Sequence, residues 1–527
     1  MMSIMKHKIL SIIGAGLLLL TLGACREQSD TLVSYGHQDQ LSFGEAENSY
    51  AGKFKVLWNG LNQSYALWDY EKELGLDWDA VYDQYLPQFE ALDEQEDVTD
   101  NQLKELTEQV VCPLHDGHMN VQLKNHKTGK YITVSPSMVR NSKRPEFVAV
   151  RNTPPTLKYY ANKANGEIEL DEDGTPIYLE YSTASDDLLD KFNDTEKAGK
   201  EWINDSITAL KNLTTPTAEE VDMLKVLTDL NKELDEVEDT KEGIALYNEL
   251  ANRYAYLNIP GFDPIDENFY DNGMKIRFAL LKGNIAYLYF SDFALSYYLN
   301  KEYTNEGFPN ASEATLAHIK KVEEVWNSWF NTIQELHKAG KLGGVIIDVR
   351  NNGGGSMNDY RYVLGSLIPS GGFEIGQARY RRGTGRLDYS PLMPAYAPTM
   401  DEEHALITKP IVVLANCASV SMAEITSLGT KYIDNATLIG KRTWGGLCGL
   451  IGNEFFSYNY TGHIGEEGKT PVYVYLPLVA QFTREGQLLE GVGVTPDIEV
   501  DLDVKQLRST GKDTQLDRAL QFIRNGN

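Results

Sequence analysis

Gly343-Gly344-Val345-Ile346-Ile347-Asp348-Val349 runs without a break into Arg350-Asn351-Asn352-Gly353-Gly354-Gly355. The first seven residues are a short apolar run rich in β-branched side chains, which reads as a strand buried on both faces. The glycine triplet after it is costly in conformational entropy and lets the backbone approach another group closely. No Gly-Lys-Ser/Thr follows, so this is not a phosphate-binding P-loop. A plain turn is the competing reading.

Working outward, the same texture recurs. Residues 285–290 (IAYLYF), 410–415 (PIVVLA) and 436–440 (ATLIG) read as further buried strands. An amphipathic helix is expected over 312–337 and a shorter one from about 420 to 432. Strands alternating with helices predict an α/β architecture with a mostly parallel sheet covered by helices.

Upstream the pattern is different. From 46 to about 111 apolar residues recur at helical spacing, as in Trp58, Leu61, Tyr65 and Trp68, then Trp78 and Tyr82. Cys112-Pro113 ends that region, His115-Asp116-Gly117-His118 reads as a turn, and residues 119–123 alternate like a strand. Residues 124–215 carry no chemistry that can be named. Thr217 and Glu220 form a capping box ahead of a stripe through Met223, Leu227, Leu230, Leu234 and Val237, too short for a coiled-coil seam and read as core-facing.

The chain has 527 residues, room for two or three domains, and 42% of them are apolar. Its 49 Lys and Arg against 76 Asp and Glu give a net charge of −27, which disfavours a nucleic-acid partner. The basic run Arg379, Arg381, Arg382, Arg386 reads as a solvated hairpin. At the N-terminus Lys6 and Lys8 precede an apolar stretch over 9–22, too short to span a bilayer comfortably, that ends in Leu22-Gly23-Ala24-Cys25. A cysteine in that place resembles the bacterial lipobox and points to acylation of Cys25. Cys112, Cys417 and Cys448 then remain, an odd number at irregular spacing, giving neither a disulfide framework nor a zinc pattern.

Two features carry chemistry. Asn416-Cys417-Ala418-Ser419-Val420-Ser421-Met422-Ala423-Glu424 places Ser421 where a buried strand gives way to a helix, with free amides at the positive end of the helix dipole. Taken alone this motif is more often a helix N-cap. His115, Asp116 and His118 offer metal-type ligands, but no third spaced ligand accompanies the pair of histidines, and no metal is expected. Glu490 alone reads equally well as a solvated loop acid.

Together these two blocks resemble the C-terminal-processing (tail-specific) serine peptidases. Residues 440–446 (GKRTWGG) and 490–498 (EGVGVTPDI) fit the same family. One branch of that family uses a Ser/Lys dyad, and its Lys position, counted from Ser421, falls on Gly446. The dyad is absent, and Lys441 is expected to face elsewhere. The other branch, resembling the tricorn protease core and the interphotoreceptor retinoid-binding protein, takes its base from a His in an Asp-Gly-His turn, matched here by His118. The resemblance implies Ser421 as nucleophile, His118 as base, Glu490 as its orienting acid, and amides of Met422, Gly353 and Gly354 as oxyanion hole. Tricorn-type sites carry a Ser before the catalytic His, where this chain has Gly117. No Gly-Asp-x-Ile stretch of a PDZ module appears over 124–265.

The expectation is therefore an exported, outer-membrane-anchored lipoprotein facing the periplasm or the cell surface, hydrolysing peptides or proteins through an acyl-enzyme without a cofactor. The resemblance implies a ClpP/crotonase-like α/β core. The expected divisions are a signal peptide over 1–24, a tether over 25–45, a helical domain over 46–118, an inserted α+β region over 119–265 and the catalytic domain over 266–527. A catalytically inactive ligand- or peptide-binding protein on the same scaffold is the alternative, and an esterase would share the site. The sequence leaves oligomeric state open.

Overall fold

The computed structural model describes residues 43–147, 186–235, 274–301, 311–381, 385–400, 404–450, 463–504 and 512–526 almost throughout, with isolated positions between them. The expected signal peptide and Cys25 lie outside the described residues.

The chain begins as a helical layer: α1 (Tyr50–Ser64), α2 (Trp68–Glu73), α3 (Trp78–Asp93) and α4 (Asp100–Val111). Ser49, Asp77 and Thr99 cap the first, third and fourth of these with their side-chain oxygens, satisfying amides that the helix itself leaves unpaired. The apolar stripe read from the sequence faces inward: Phe54 stacks on Phe89, and Trp68 packs against Trp78. Strands β1 (Asn120–Lys124) and β2 (Tyr131–Val134) follow, then α5 (Pro136–Asn141), α6 (Asp186–Lys211) and α7 (Ala218–Leu234). Thr217 and Glu220 make the expected capping box. Helices α6 and α7 bury Ile203, Ile207, Leu227, Leu230 and Leu234 in a small core of their own.

The second half supplies β3 (Ile276–Leu281), β4 (Ile285–Phe290), α8 (Leu295–Leu299), α9 (Glu313–Lys338), β5 (Gly344–Asp348), β6 (Phe373–Tyr380), β7 (Met393–Ala397) and β8 (Ile411–Ala415). Then come α10 (Met422–Thr430), β9 (Ala436–Gly440), β10 (His463–Ile464), β11 (Val472–Tyr475), β12 (Val479–Phe482), β13 (Ile498–Glu499) and α11 (Thr514–Asn525). Six strands form the central sheet in the order β13-β9-β8-β5-β4-β3, parallel except for β3 at the edge. The Gly343–Val349 run contains β5, an interior strand of this sheet buried at every residue. Its side chains alternate: Val345 and Ile347 pack with Val322 and Trp329 of α9, while Ile346 packs with Leu516 and Ala519 of α11. The expected mixed α/β architecture is what the chain adopts.

Two expectations change. Strands β1 and β2 pair with β10 and β11 in a four-stranded antiparallel sheet, and Val121, Leu123, Ile132 and Val134 share a core with the N-terminal helices. Packing therefore continues past residue 118: β1 pairs with β2 on one side and with β11, from the C-terminal half, on the other. Arg379, Arg381 and Arg386 do not form a solvated hairpin, and Arg382 lies outside the described residues. Arg379 makes a bidentate pair with Asp69, Arg386 one with Asp79, and Arg381 is buried with its guanidinium on main-chain oxygens of Gln63, Gly385, Arg386 and Asp388. These arginines clamp the β6–β7 sheet onto the helical layer. No described helix is long and apolar enough to cross a membrane.

Candidate active site

Ser421 ends a tight connection from β8. Ser419 Oγ donates to the Val349 carbonyl at 2.7 Å, Asn416 Nδ2 donates to Asn351 Oδ1 at 2.6 Å, and the Val420 amide donates to the Asn352 carbonyl at 3.0 Å. The loops after β5 and β8 are thus one hydrogen-bonded unit. Ser421 itself stands at φ +56°, ψ −115°, backbone that a side chain rarely adopts. Such strain persists only where the surroundings impose it, and it concentrates at functional positions. The next nine residues form α10, every one of them buried. An N-cap serine needs no such backbone, since the usual cap is extended.

The glycine loop explains the strain. Gly354 has φ +90°, and a β-carbon there would lie 2.5 Å from Ser421 Cβ and 2.8 Å from the Val420 carbonyl oxygen. Only glycine fits against the serine. Gly354 cannot serve as an oxyanion donor in this conformation, because its amide donates to Asn352 Oδ1 at 2.8 Å, and Asn352 in turn is anchored to the Phe290 carbonyl. Of the expected donors, Met422 and Gly353 have no hydrogen-bond acceptor among the described residues; Met422 is the first residue of α10, whose amide has no partner within the helix. The loop starts from a buried anchor: Arg350 binds Asp348 and Asp513 together, with Gln515 alongside. Those carboxylates hold the Arg350 guanidinium well above its ordinary range despite burial.

His118 follows a turn built by Asp116, whose Oδ1 accepts the amides of His118 and Met119, both at 2.7 Å. Its ring is 9% exposed, and neither nitrogen has a hydrogen-bond partner. Burial lowers its pKa to about 4, so the ring is neutral near pH 7 and able to accept a proton. Glu490 is fully buried and no solvated loop acid. Its Oε1 lies 4.0 Å from His118 Nδ1 and accepts the Gly117 amide, while Oε2 accepts the amides of Leu447 and Cys448. Burial first, and the nearby Asp116 carboxylate second, push its pKa up to about 8. Asp116 is likewise pushed up to about 7 by burial.

The two halves meet at residues 443–446. Glu424, one turn into α10, accepts Thr443 Oγ1 and the Gly445 amide on Oε1, and the Gly446 amide on Oε2, with the Ser421 amide at 3.3 Å. Gly446 faces the imidazole. Ser421, His118 and Glu490 are therefore built around one loop, yet no hydrogen bond joins Ser421 to either ring nitrogen of His118. Sequence reasoning missed Glu424 as the organiser of this loop; its spacing from Ser421 in Ser-x-x-Glu was the available signal. His115 goes elsewhere, its Nδ1 2.9 Å from Glu71 Oε2. Lys441 faces away as expected, paired with Glu499 and Asp501.

Residues 313–500 match the family model described as peptidase family S41. The chain is 28% identical over 172 residues to the carboxy-terminal processing protease CtpA of Bacillus subtilis, covering 33% of this chain and 31% of that one. It is 28% identical over 180 residues to the tricorn protease of Thermoplasma volcanium, covering 34% of this chain and 14% of that one. The chain thus spans a third or less of the length of these curated relatives. Among solved structures, mature CPAF complexed with lactacystin aligns over 91% of this chain and 99% of its own, at 14% identity and a TM-score of 0.45. The photosystem II D1 C-terminal processing protease aligns over 44% of this chain and 48% of its own, at 17% identity and a TM-score of 0.26.

Proposed function

We propose that this chain, which carries a peptidase family S41 domain, is a serine-type peptidase that cleaves peptide bonds through an acyl-enzyme on Ser421. The observation that carries the reading is the strained Ser421, pressed by Gly354 at the start of a buried helix. In the reaction Ser421 Oγ attacks the substrate carbonyl carbon while its proton passes to His118. The new oxyanion takes the amide of Met422, at the positive end of the α10 dipole, and that of Gly353. His118 then returns the proton to the leaving amine as the C–N bond breaks, and water releases the acyl group by the same route. Glu490 lies 4.0 Å from His118 Nδ1 and offsets the charge of the transient imidazolium in its ionised form, which predominates only above about pH 8. Substrate binding has to close the gap between Ser421 and His118, a tightening common between free and occupied sites.

The chain is further read as exported and lipid-anchored through Cys25, on the strength of the Leu-Gly-Ala-Cys sequence. A second reading, a peptide- or ligand-binding protein without turnover, draws on the unmade bond between Ser421 and His118. Fluorophosphonate labelling separates the two. The peptidase reading expects covalent labelling of the wild type, none for Ser421→Ala, and loss of peptide hydrolysis in that variant on the order of a millionfold with near-normal melting. A wild type that neither labels nor cleaves a broad peptide library overturns it in favour of the binding reading.

A further inference from the structure

Asp116, His118 and Glu490 each turn an unsatisfied or shared atom toward one small volume. One carboxylate oxygen of Asp116, one ring nitrogen of His118 and one carboxylate oxygen of Glu490 all lie within 4.8 Å of one another. Asp116 and Glu490 are fully buried, and the Asp116 Oδ2 and both nitrogens of His118 have no hydrogen-bond partner. Buried polar atoms are normally paired, and an unpartnered Asp116 oxygen beside an imidazole with no partner requires an explanation. No third ligand for a metal is evident along the chain near the His115–His118 turn; the fold supplies Glu490 from far along the chain and sends His115 to Glu71 instead.

We propose that these three residues form a binding site for a divalent transition cation of the zinc class, and that the bound cation switches the peptidase off. One imidazole and two carboxylates are a donor set that suits zinc rather than magnesium, which prefers oxygen ligands and keeps its waters. Zinc bound by N and O at about 2.0–2.2 Å places its ligands roughly 3.3–3.6 Å apart, so the 4.0 Å between His118 Nδ1 and Glu490 Oε1 closes by about half an ångström. Binding releases the protons held on the two carboxyl groups, the resulting carboxylates neutralise the cation, and a fourth position is left for water. The amides on Asp116 Oδ1 and on Glu490 already orient both carboxylates, which is the outer support that metal ligands need.

Inhibition follows from the ring. The cation occupies the Nδ1 lone pair, the neutral imidazole then keeps its proton on Nε2, and the base has no lone pair left for the serine proton. Binding itself does not depend on Ser421 being a nucleophile, so this inference and the peptidase reading fail separately.

The test uses the full chain with zinc chloride as the probe, and magnesium chloride as the contrast, followed by calorimetry or by competition with a chromophoric chelator. Asp116→Asn keeps the Oδ1 that accepts the two amides and removes one charged ligand. The expected results are one zinc per chain, binding weakened at least tenfold in Asp116→Asn and in His118→Ala, unchanged binding in Ser421→Ala, and no response to magnesium. Zinc is expected to slow fluorophosphonate labelling with the midpoint found by calorimetry. Where Asp116→Asn melts early, Glu490→Gln takes its place with the same expectation. Absence of zinc binding, or binding that neither acidic variant nor His118→Ala weakens, overturns the site.

Discussion

Gly446 stands directly against His118: a β-carbon on Gly446 would lie 3.2 Å from Cε1 and 3.4 Å from Nδ1 of the imidazole. Position 446 is where a Ser/Lys dyad would place its lysine, and here the histidine fills the space that such a side chain would need.

Gly446→Lys should therefore not convert the enzyme to a lysine mechanism. The added side chain displaces the ring, and overpacking of this kind costs about 1–3 kcal/mol. Gly446→Ala should be milder in stability but still lower peptide hydrolysis by roughly tenfold or more, since sub-ångström misplacement of a catalytic group is felt strongly. Parallel assays and melts check both; wild-type turnover in Gly446→Lys would show that His118 is not the base.

The same loop accounts for what the sequence did and did not make legible. The parallel sheet was readable because β4, β5, β8 and β9 are continuous apolar runs, and each lies within a residue of its expected place. Ser421 was readable as a strand-to-helix residue, but its backbone strain was not, because that depends on Gly354 from a loop far away in sequence. Gly117 looked like a missing serine. Its side-chain position is occupied by the Gly445 carbonyl and the Gly446 backbone, and Trp444 Nε1 donates to its carbonyl, so glycine is a packing requirement. Glu424 was hidden for the opposite reason: a capping acid looks ordinary until the loop it holds is seen. The arginine run misled because its partners, Asp69 and Asp79, sit in the N-terminal helices.

Gly117→Ser, which would install the serine of tricorn-type sites, is expected to destabilise the chain and reduce labelling rather than improve it. The new β-carbon meets the main chain of Gly445 and Gly446, where nothing can rotate away. Melting and fluorophosphonate kinetics measured together check this. A gain in labelling rate would mean that the 445–446 backbone yields easily.

Ser421→Gly should raise stability while abolishing chemistry. A non-glycine residue at this backbone conformation costs on the order of 1 kcal/mol, which glycine relieves. Ser421→Ala keeps the strain and loses the nucleophile alone. The comparison expects Ser421→Gly to melt above Ser421→Ala, with neither labelled. Equal or lower melting for the glycine variant would show that Ser421 is not strained in solution.

Lys441→Ala is expected to leave turnover within an order of magnitude of wild type. Its partners Glu499 and Asp501 are exposed, and pairs of that kind contribute at most about 1 kcal/mol. Total loss of turnover with an intact melt would revive a lysine base.

His118 also sets a pH signature. Its folded pKa of about 4 lies below the ordinary 6.5, so between those values the unfolded chain binds more protons than the folded one at this residue. Stability from the neutral buried ring is fully present above pH 6.5 and is lost as pH falls through about 4. Asp116 and Glu490 act with the opposite sign: their folded pKa values of about 7 and 8 lie above 3.8 and 4.5, so their contribution is present at low pH and is lost as pH rises toward 8. His118→Asn removes only the first effect. On a Ser421→Ala background, where no turnover interferes, it should shrink the fall in melting temperature between pH 6.5 and pH 4 and leave the alkaline side largely unchanged. Labelling of the Ser421 form should keep its rate well below pH 6.5, failing only as the ring is protonated near pH 4. An acid limb centred at or above 6.5 would mean that the ring is hydrated and accessible in solution, and the buried neutral base would have to be abandoned.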